Sequence, residues 1–504
     1  MVMTCNLYFC MATLYGNPVK EAEVTMLRST IVVEEDAAHR SVYGAQPDSL
    51  RRALYSAIVT LTLGVLGSTI LPVPFAFSKL GVIPGCATMA VVAFVNDRTC
   101  LMLIRASNLT GRFGFEELAA WAGGRKARVL TQVSLILLLY GTLCGGLAFL
   151  SDVARIMVLK GVPCTPSASG APSGSSSSSE EAWWLQRMRV DGRPAMLLVV
   201  ALVLFPLCLQ RHIRQFEKAA TVGVVVIVAL MLLIASQAVQ QGFPAITSGQ
   251  VPIWFKPGSA AMLPEAFAVL GFAFYMQPML MPLLAEMPRG EAGMKVSEQA
   301  VHITLYGVAS AAYGSVGLFG AALFGDATES NIMVNDLLPG QPRATLVLYG
   351  ALMVYLCCGM VTTHYALRAS LEVLLCGEGA PYVRARSVAE TVVILLAALA
   401  VACTFPSAAE KIFALTGCTA VCLVCYVIPV FVHLRLRKAV SLHRAEQTRR
   451  QRATLAVGKA VASRDPDCES GSARAVVIIV GVGCSAAGLW VAATDIYKYL
   501  IPNA

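Results

Sequence analysis

The chain has 504 residues, 57% of them hydrophobic and only 14% charged. Soluble domains carry about 25% charged residues, so this composition, with a mean hydropathy of +0.67, excludes a string of soluble domains and indicates one integral membrane bundle. The formal net charge of +9 does not mark a nucleic-acid partner, because the basic residues follow the pattern of membrane topology.

Residues 1–52 read as a polar cytosolic tail, largely disordered, with an acidic patch at Glu34, Glu35 and Asp36. The stretch Leu7–Tyr15 is apolar but short, and no Lys or Arg precedes it, so no signal peptide is expected and the first membrane helix serves as its own signal. A crossing needs roughly 20 apolar residues. Eleven stretches qualify as candidates: 54–77, 82–104, 129–151, 194–210, 219–240, 262–284, 302–324, 345–366, 388–406, 411–433 and 475–495, the fourth being short. Residues 53–500 therefore form one transmembrane domain of an all-α polytopic protein.

The first span contains GSTILPVPFAFSKLG at 67–81, and Gly64, Gly67, Pro72 and Pro74 fall within eleven residues. Each proline removes a helical N–H, and each glycine lowers the cost of unwinding. Two readings are open. One is a proline kink with small residues for close packing. The other is a discontinuous helix whose freed backbone groups line a substrate site at the midplane.

The second span carries Asn96, Asp97 and Arg98, read as a local ion pair reaching the interface in preference to a proton relay. Glu116, Glu117 and Trp121 follow in a connection suited to the membrane surface. Asn108–Leu109–Thr110 matches a glycosylation acceptor but falls on the cytosolic side. Gly141, Gly145 and Gly146 give the third span a small-residue face for close helix contact, and Asp152 and Arg155 at its end are spaced to pair. Residues 160–193, with five serines in a row at 175–179, read as a flexible outer loop. In the sixth span Gly271, Pro278 and Pro282 interrupt the helix as their counterparts interrupt the first. The two spans lie five apart and run in opposite directions, which points to a 5 + 5 inverted repeat with the eleventh helix added. Thr362, Thr363 and His364 mark the inner end of the eighth span.

With the N-terminus cytosolic, the inner segments hold 28 Lys and Arg and the outer ones 10, so the tail lies inside and the basic segment 434–474 is cytosolic. Arg435, Arg437, Lys438, Arg444, Arg449, Arg450 and Arg452 act chiefly as a stop signal, with contact to anionic lipid as a second role. Most of the sixteen cysteines fall inside the spans and read as small packing residues. No Cys-x-x-Cys pair has a matching set, so no zinc site is expected.

At this point the sequence resembles the amino acid/auxin permease family, especially its sodium-coupled neutral amino acid transporter branch. The first span of that branch reads Gly-small-Gly-Ile-Leu-Gly-Leu-Pro, aromatic, Ala, then Gly. Here it stands as Gly67, Ser68, Thr69, Ile70, Leu71, Pro72, Val73, Pro74, Phe75, Ala76 and Gly81. The sixth span is similar at Phe272, Ala273, Phe274, Gln277, Pro278, Pro282 and Glu286, as are Glu329–Ile332 and Asn96–Arg98. The chain departs at Thr69 and Pro72, where glycine is usual, and at Gln277, where His is common.

The resemblance implies a leucine-transporter-like fold and secondary active transport of an amino acid by alternating access. N–H groups near Gly67, Ser68, Thr69 and Ile70 are then expected to hold the substrate carboxylate. Carbonyls around Gly271 to Phe274 receive the amino group, and Phe274 and Gln277 line the side-chain pocket or simply pack. Sodium or a proton is the coupling ion, with Thr362 and Thr363 as candidate sodium ligands, although membrane threonines often bond their own helix. No Asp or Glu occurs between Gly64 and Phe77 or between Gly271 and Pro282, so a neutral substrate is favoured over arginine or lysine. A sensor signalling through the tail is the second class. A channel lacks a ring of like charges, and an enzyme lacks a catalytic constellation. The tail carries no recognisable protein-binding motif. The membrane implied is the plasma membrane or a vacuolar or lysosomal one.

Overall fold

The structure, a computed structural model, describes residues 47–161, 188, 190–210, 214–255, 262–377, 383–404, 409–454 and 475–500. Most of the tail, most of the serine-rich stretch and residues 455–474 of the basic segment lie outside the described residues.

All regular structure among the described residues is helical. Helices α1 (Pro47–Val65) and α2 (Val73–Leu80) are the halves of the first predicted span. They are followed by α3 (Val82–Thr110), α4 (Phe115–Gly161), α5 (Arg193–Cys208) and α6 (Arg214–Gln240). The sixth span is split into α7 (Leu263–Ala273) and α8 (Gln277–Glu286). Then come α9 (Glu291–Ala327), α10 (Pro342–Cys376), α11 (Arg384–Thr404) and α12 (Ala409–Leu442). The chain closes with α13 (Val477–Val491), whose helix continues to Leu500.

Seven of these stretches are long and apolar enough to cross a bilayer, and the α1–α2 pair, bent by 60°, makes an eighth. The molecule is a multi-pass membrane protein. The apolar parts of α5, α6 and α13 are shorter, so length and apolarity alone do not reach the eleven spans predicted. The basic segment after 434 begins as helix, since α12 continues to Thr454.

The core is built around α4, which packs along α10 and against the start of α12. Its glycines make this possible. A β-carbon on Gly141 would strike the Thr416 side chain, one on Gly145 the Phe413 ring, and one on Gly146 would sit 3.1 Å from Met360. Phe413 is thereby drawn in to pack, with tilted rings, 5.3 Å from Phe149 and 4.6 Å from Phe272 between centroids. Near its start α4 breaks at Gly124, whose φ of 70° lies in the left-handed region that favours glycine.

Candidate functional site

Gly67 leaves the helix in an extended conformation, φ −132° and ψ −164°, and a short 3₁₀ turn covers Ser68–Ile70. Pro72 and Pro74 have no N–H to offer the Ser68 and Ile70 carbonyls, so α1 cannot run straight into α2. The turn keeps two weak bonds, from Ile70 N to Gly67 O (3.2 Å) and from Leu71 N to Ser68 O (3.1 Å). Among the described residues, the N–H groups of Gly67, Ser68 and Thr69 make no backbone hydrogen bond.

The carbonyls freed on the other side of the break are met by tyrosines. Tyr313 of α9 donates its hydroxyl to Val65 O at 2.6 Å, and Tyr355 of α10 reaches Leu66 O at 3.5 Å. Tyr313 has one proton and has given it, so the 3.0 Å contact with Thr69 Oγ1 is donated by the threonine. These contacts hold the break open in a fixed shape.

The second break, between α7 and α8, has the same origin: Pro278 lacks the N–H that the Phe274 carbonyl would need. Gln277 fastens it. Met276 N donates to Gln277 Oε1 at 3.0 Å, while Gln277 Nε2 donates to Asn96 Oδ1 (3.0 Å) and Thr99 Oγ1 (2.9 Å) on α3. Asn96 and Thr99 spend their own protons on the carbonyls of Val92 and Asn96, so both are free to accept.

A cavity of ≈ 370 Å³ opens at the first break. Residues 63–69 form one wall, Tyr275 and Met279 another, and Tyr355, Gly359, Thr362 and Thr363 of α10 a third, with Thr142 and Gly146 of α4 closing it. No lining residue carries a charge. The cavity runs from the break toward the side of the α1 N-terminus. On the opposite side, α2 is packed against α9, and Ile332 N donates to Leu71 O at 3.3 Å. The segment carrying Ile332 is tied further by Asn331 Nδ2, 3.3 Å from Asp152 Oδ2 on α4, and by the Tyr349 hydroxyl on the Met333 carbonyl.

Of the residues expected at a substrate or ion site, Gly67, Ser68, Thr69, Thr362 and Thr363 meet on this cavity. The other four do not line it. Ile70 is buried; a β-carbon on Gly271 would meet the Tyr426 hydroxyl at 3.0 Å; Phe274 packs with its ring tilted against Tyr313, 5.1 Å between centroids; and Gln277 is turned to α3. Thr362 and Thr363 donate to the same carbonyl, Gly359 O, at 2.8 and 3.0 Å. Their oxygen lone pairs are left for another partner. Tyr275, Tyr355 and Thr142 escaped sequence reasoning. Tyr355 had a signal: it precedes Gly359 by four residues and Thr362 by seven, the spacing of one helical face.

Asp97 is fully buried, and its Oδ2 accepts from Arg98 at 2.7 and 3.0 Å, the local pair expected from adjacency. Its Oδ1 lies 2.6 Å from His302 Nδ1 on α9, out of line for a hydrogen bond and attractive when the ring is protonated. Residues 96–99 thus tie α3 both to the α7–α8 break and to α9.

Among proteins of known kind, Solute carrier family 38 member 10 of Homo sapiens is 22% identical over 400 residues, covering 76% of this chain and 32% of that protein. The chain thus spans about a third of the length of that relative. Amino acid transporter AVT6E of Arabidopsis thaliana is 25% identical, with 76% of each chain covered. Amino acid transporter AVT6B of the same plant is 22% identical over 83% of this chain and 89% of its own. These relatives are named as carriers and transporters, not as enzymes. The family model described as transmembrane amino acid transporter protein matches residues 52–457, which takes in both broken helices and the cavity between them, and the chain belongs to that family.

Proposed function

We propose that the chain moves a neutral amino acid across the membrane by alternating access, coupled to sodium. The observation that carries this reading is the uncharged cavity joining the α1–α2 break to the α10 threonines. Its ≈ 370 Å³ lies within the ~300–1,000 Å³ of small-molecule sites. The N–H groups of Ser68 and Thr69 make no backbone hydrogen bond and suit a carboxylate. The α7–α8 break, which reaches the cavity at Tyr275, offers backbone carbonyls to an ammonium group. Sodium takes hard oxygen ligands, and Thr362 and Thr363 offer lone pairs because their protons are committed to Gly359. The names of the relatives above agree with the substrate class.

The test is uptake of a panel of labelled amino acids into proteoliposomes, with sodium replaced by choline and pH varied separately. Uptake and counterflow of neutral amino acids that need sodium support the reading. Binding without counterflow would make the protein a sensor, and uptake driven by pH alone would make the ion a proton. Excess alanine, glutamine or leucine is expected to compete, and arginine and lysine are not, because a cationic side chain in an uncharged cavity lacks the partner that a buried charge requires. Inhibition by arginine or lysine alone would reverse the substrate assignment.

Thr363→Val keeps the shape of the side chain and removes one ligand. The expected result is a sodium requirement raised about tenfold, the effect of one lost charge-assisted contact of about 1.5 kcal/mol, with the saturating rate less affected. Unchanged sodium dependence would remove Thr363 from the ion site.

A further inference from the structure

A second cavity, ≈ 550 Å³, opens where the start of α4 meets the end of α10, far along α4 from the substrate cavity. Gly124, Arg125, Arg128 and Gln132 line one wall; Val373 and Leu374 line the other. Gln132 is only 7% exposed, and its amide has no hydrogen-bond partner among the described residues. The residue lines the cavity, so its amide opens into that space and is free to bond a ligand there. Arg125 is exposed beside it, and Arg128, half-buried and already engaged with the protein, lies along the same wall. The helix restarts at Gly124, so the positive end of its dipole faces the same space. Guanidinium groups, an amide and a helix start together suit a phosphate.

The cavity does not end at the polar wall. Val129, Val133 and Leu137 follow Arg125 at intervals of four and are 40%, 38% and 48% exposed, an apolar track down the face of α4. Leu137 forms the rim of a slot of ≈ 240 Å³ lined also by Tyr140, Gly141 and Cys144 of α4, Val401 of α11 and Ile412, Leu415 and Thr416 of α12, with Lys411 among its lining residues. From Arg125 to Leu137 is about 18 Å at ~1.5 Å per residue. One leaflet of the hydrocarbon core is about 15 Å, half of ~30 Å. A headgroup held at Arg125 therefore places the end of its acyl chain at the slot.

We propose that this groove is a binding site for a phospholipid with an anionic headgroup, drawn from the leaflet on the α4 N-terminal side. The phosphate sits against Arg125, Gln132 and the restart of α4. One acyl chain lies along Val129, Val133 and Leu137 and ends in the slot beside Gly141. By the distribution of Lys and Arg this is the cytosolic leaflet, where anionic lipid is concentrated. The site is independent of the substrate reading.

The experiment uses the full chain in phosphatidylcholine vesicles containing a small fraction of fluorescent phosphatidylglycerol, with energy transfer from protein to lipid as the readout. Saturable binding is expected. Arg125→Gln should weaken it about fivefold, the worth of one basic residue at a membrane surface, and Gln132→Leu should weaken it as well. Lys126→Gln, which removes an exposed charge one residue away, should not. Val133→Gln, on the exposed track, should weaken binding without touching the headgroup, and glycerol phosphate in solution should not compete. Equal losses for Arg125→Gln and Lys126→Gln, or binding that never saturates, would reduce the feature to general surface attraction and overturn the site. Competition by glycerol phosphate would make it a soluble-phosphate site instead. The Arg125 and Val133 variants alter exposed residues, so they decide the matter even if Gln132→Leu fails to fold.

Discussion

Gly67→Leu is expected to abolish transport in a protein that still inserts and folds. The backbone at Gly67, with φ −132°, is one that any residue adopts. Glycine is therefore required here for space, not for its dihedral freedom. A β-carbon would sit 4.0 Å from both the Tyr355 hydroxyl and the Val65 carbonyl, ordinary contact distances, so Gly67→Ala should keep its shape and most of its transport. Leucine adds three more carbons, and the room available to them is the cavity itself, which Gly67, Ser68 and Thr69 line. Displacing a substrate by about 1 Å costs about 100-fold in rate, and a leucine side chain displaces it further. The measurement is the initial rate of amino acid uptake, divided by the amount of protein inserted. A leucine variant that reaches the membrane and transports at the parental rate would move the substrate site away from the first break.

Both breaks were legible in the sequence because their cause is local. A proline withholds its own N–H from a carbonyl four residues back, and no distant contact can restore it. The glycine face of α4 was legible for a similar reason, since a row of missing side chains admits close neighbours whatever those neighbours are. Asp97 and Arg98 pair because they are adjacent.

What the sequence could not show is how each half-helix is rotated about its axis. Gln277 and Tyr275 flank the same interruption, yet Tyr275 lines the cavity and Gln277 is consumed by α3. Thr69 meets Tyr313 across 244 residues, and the freed Val65 carbonyl is met by the same distant hydroxyl. His302 beside Asp97 is a further contact of this kind. These pairings depend on tertiary packing, and no spacing within one helix encodes them. Thr362 and Thr363 were reached only through the family resemblance, and Tyr355 could have been reached from them by helical periodicity.

The different fate of Gln277 leads to the second large effect, which is on stability. Gln277→Leu is expected to destabilise the folded protein by about 2–5 kcal/mol, the sum of three polar contacts at about 0.6–1.7 kcal/mol each in a membrane interior. Most of that loss falls on the Met276 N–H, a donor in a fully buried residue that has no other partner once Gln277 Oε1 is gone. Asn96 and Thr99 lose only an incoming bond, because their own protons are already placed. Gln277→Glu keeps an acceptor for Met276 but turns a second oxygen on the Asn96 Oδ1 acceptor, so it should be no better than leucine. Gln277→His retains one acceptor and one donor and should recover part of the loss. Chemical denaturation of the purified protein in micelles measures the order parent, His, then Leu and Glu together. Since Gln277 does not line the cavity, the order in which amino acids compete for uptake should be unchanged in the His variant. A Leu variant as stable as the parent, with a His variant that prefers different substrates, would return Gln277 to the substrate pocket and require α8 to be rotated from the position described here.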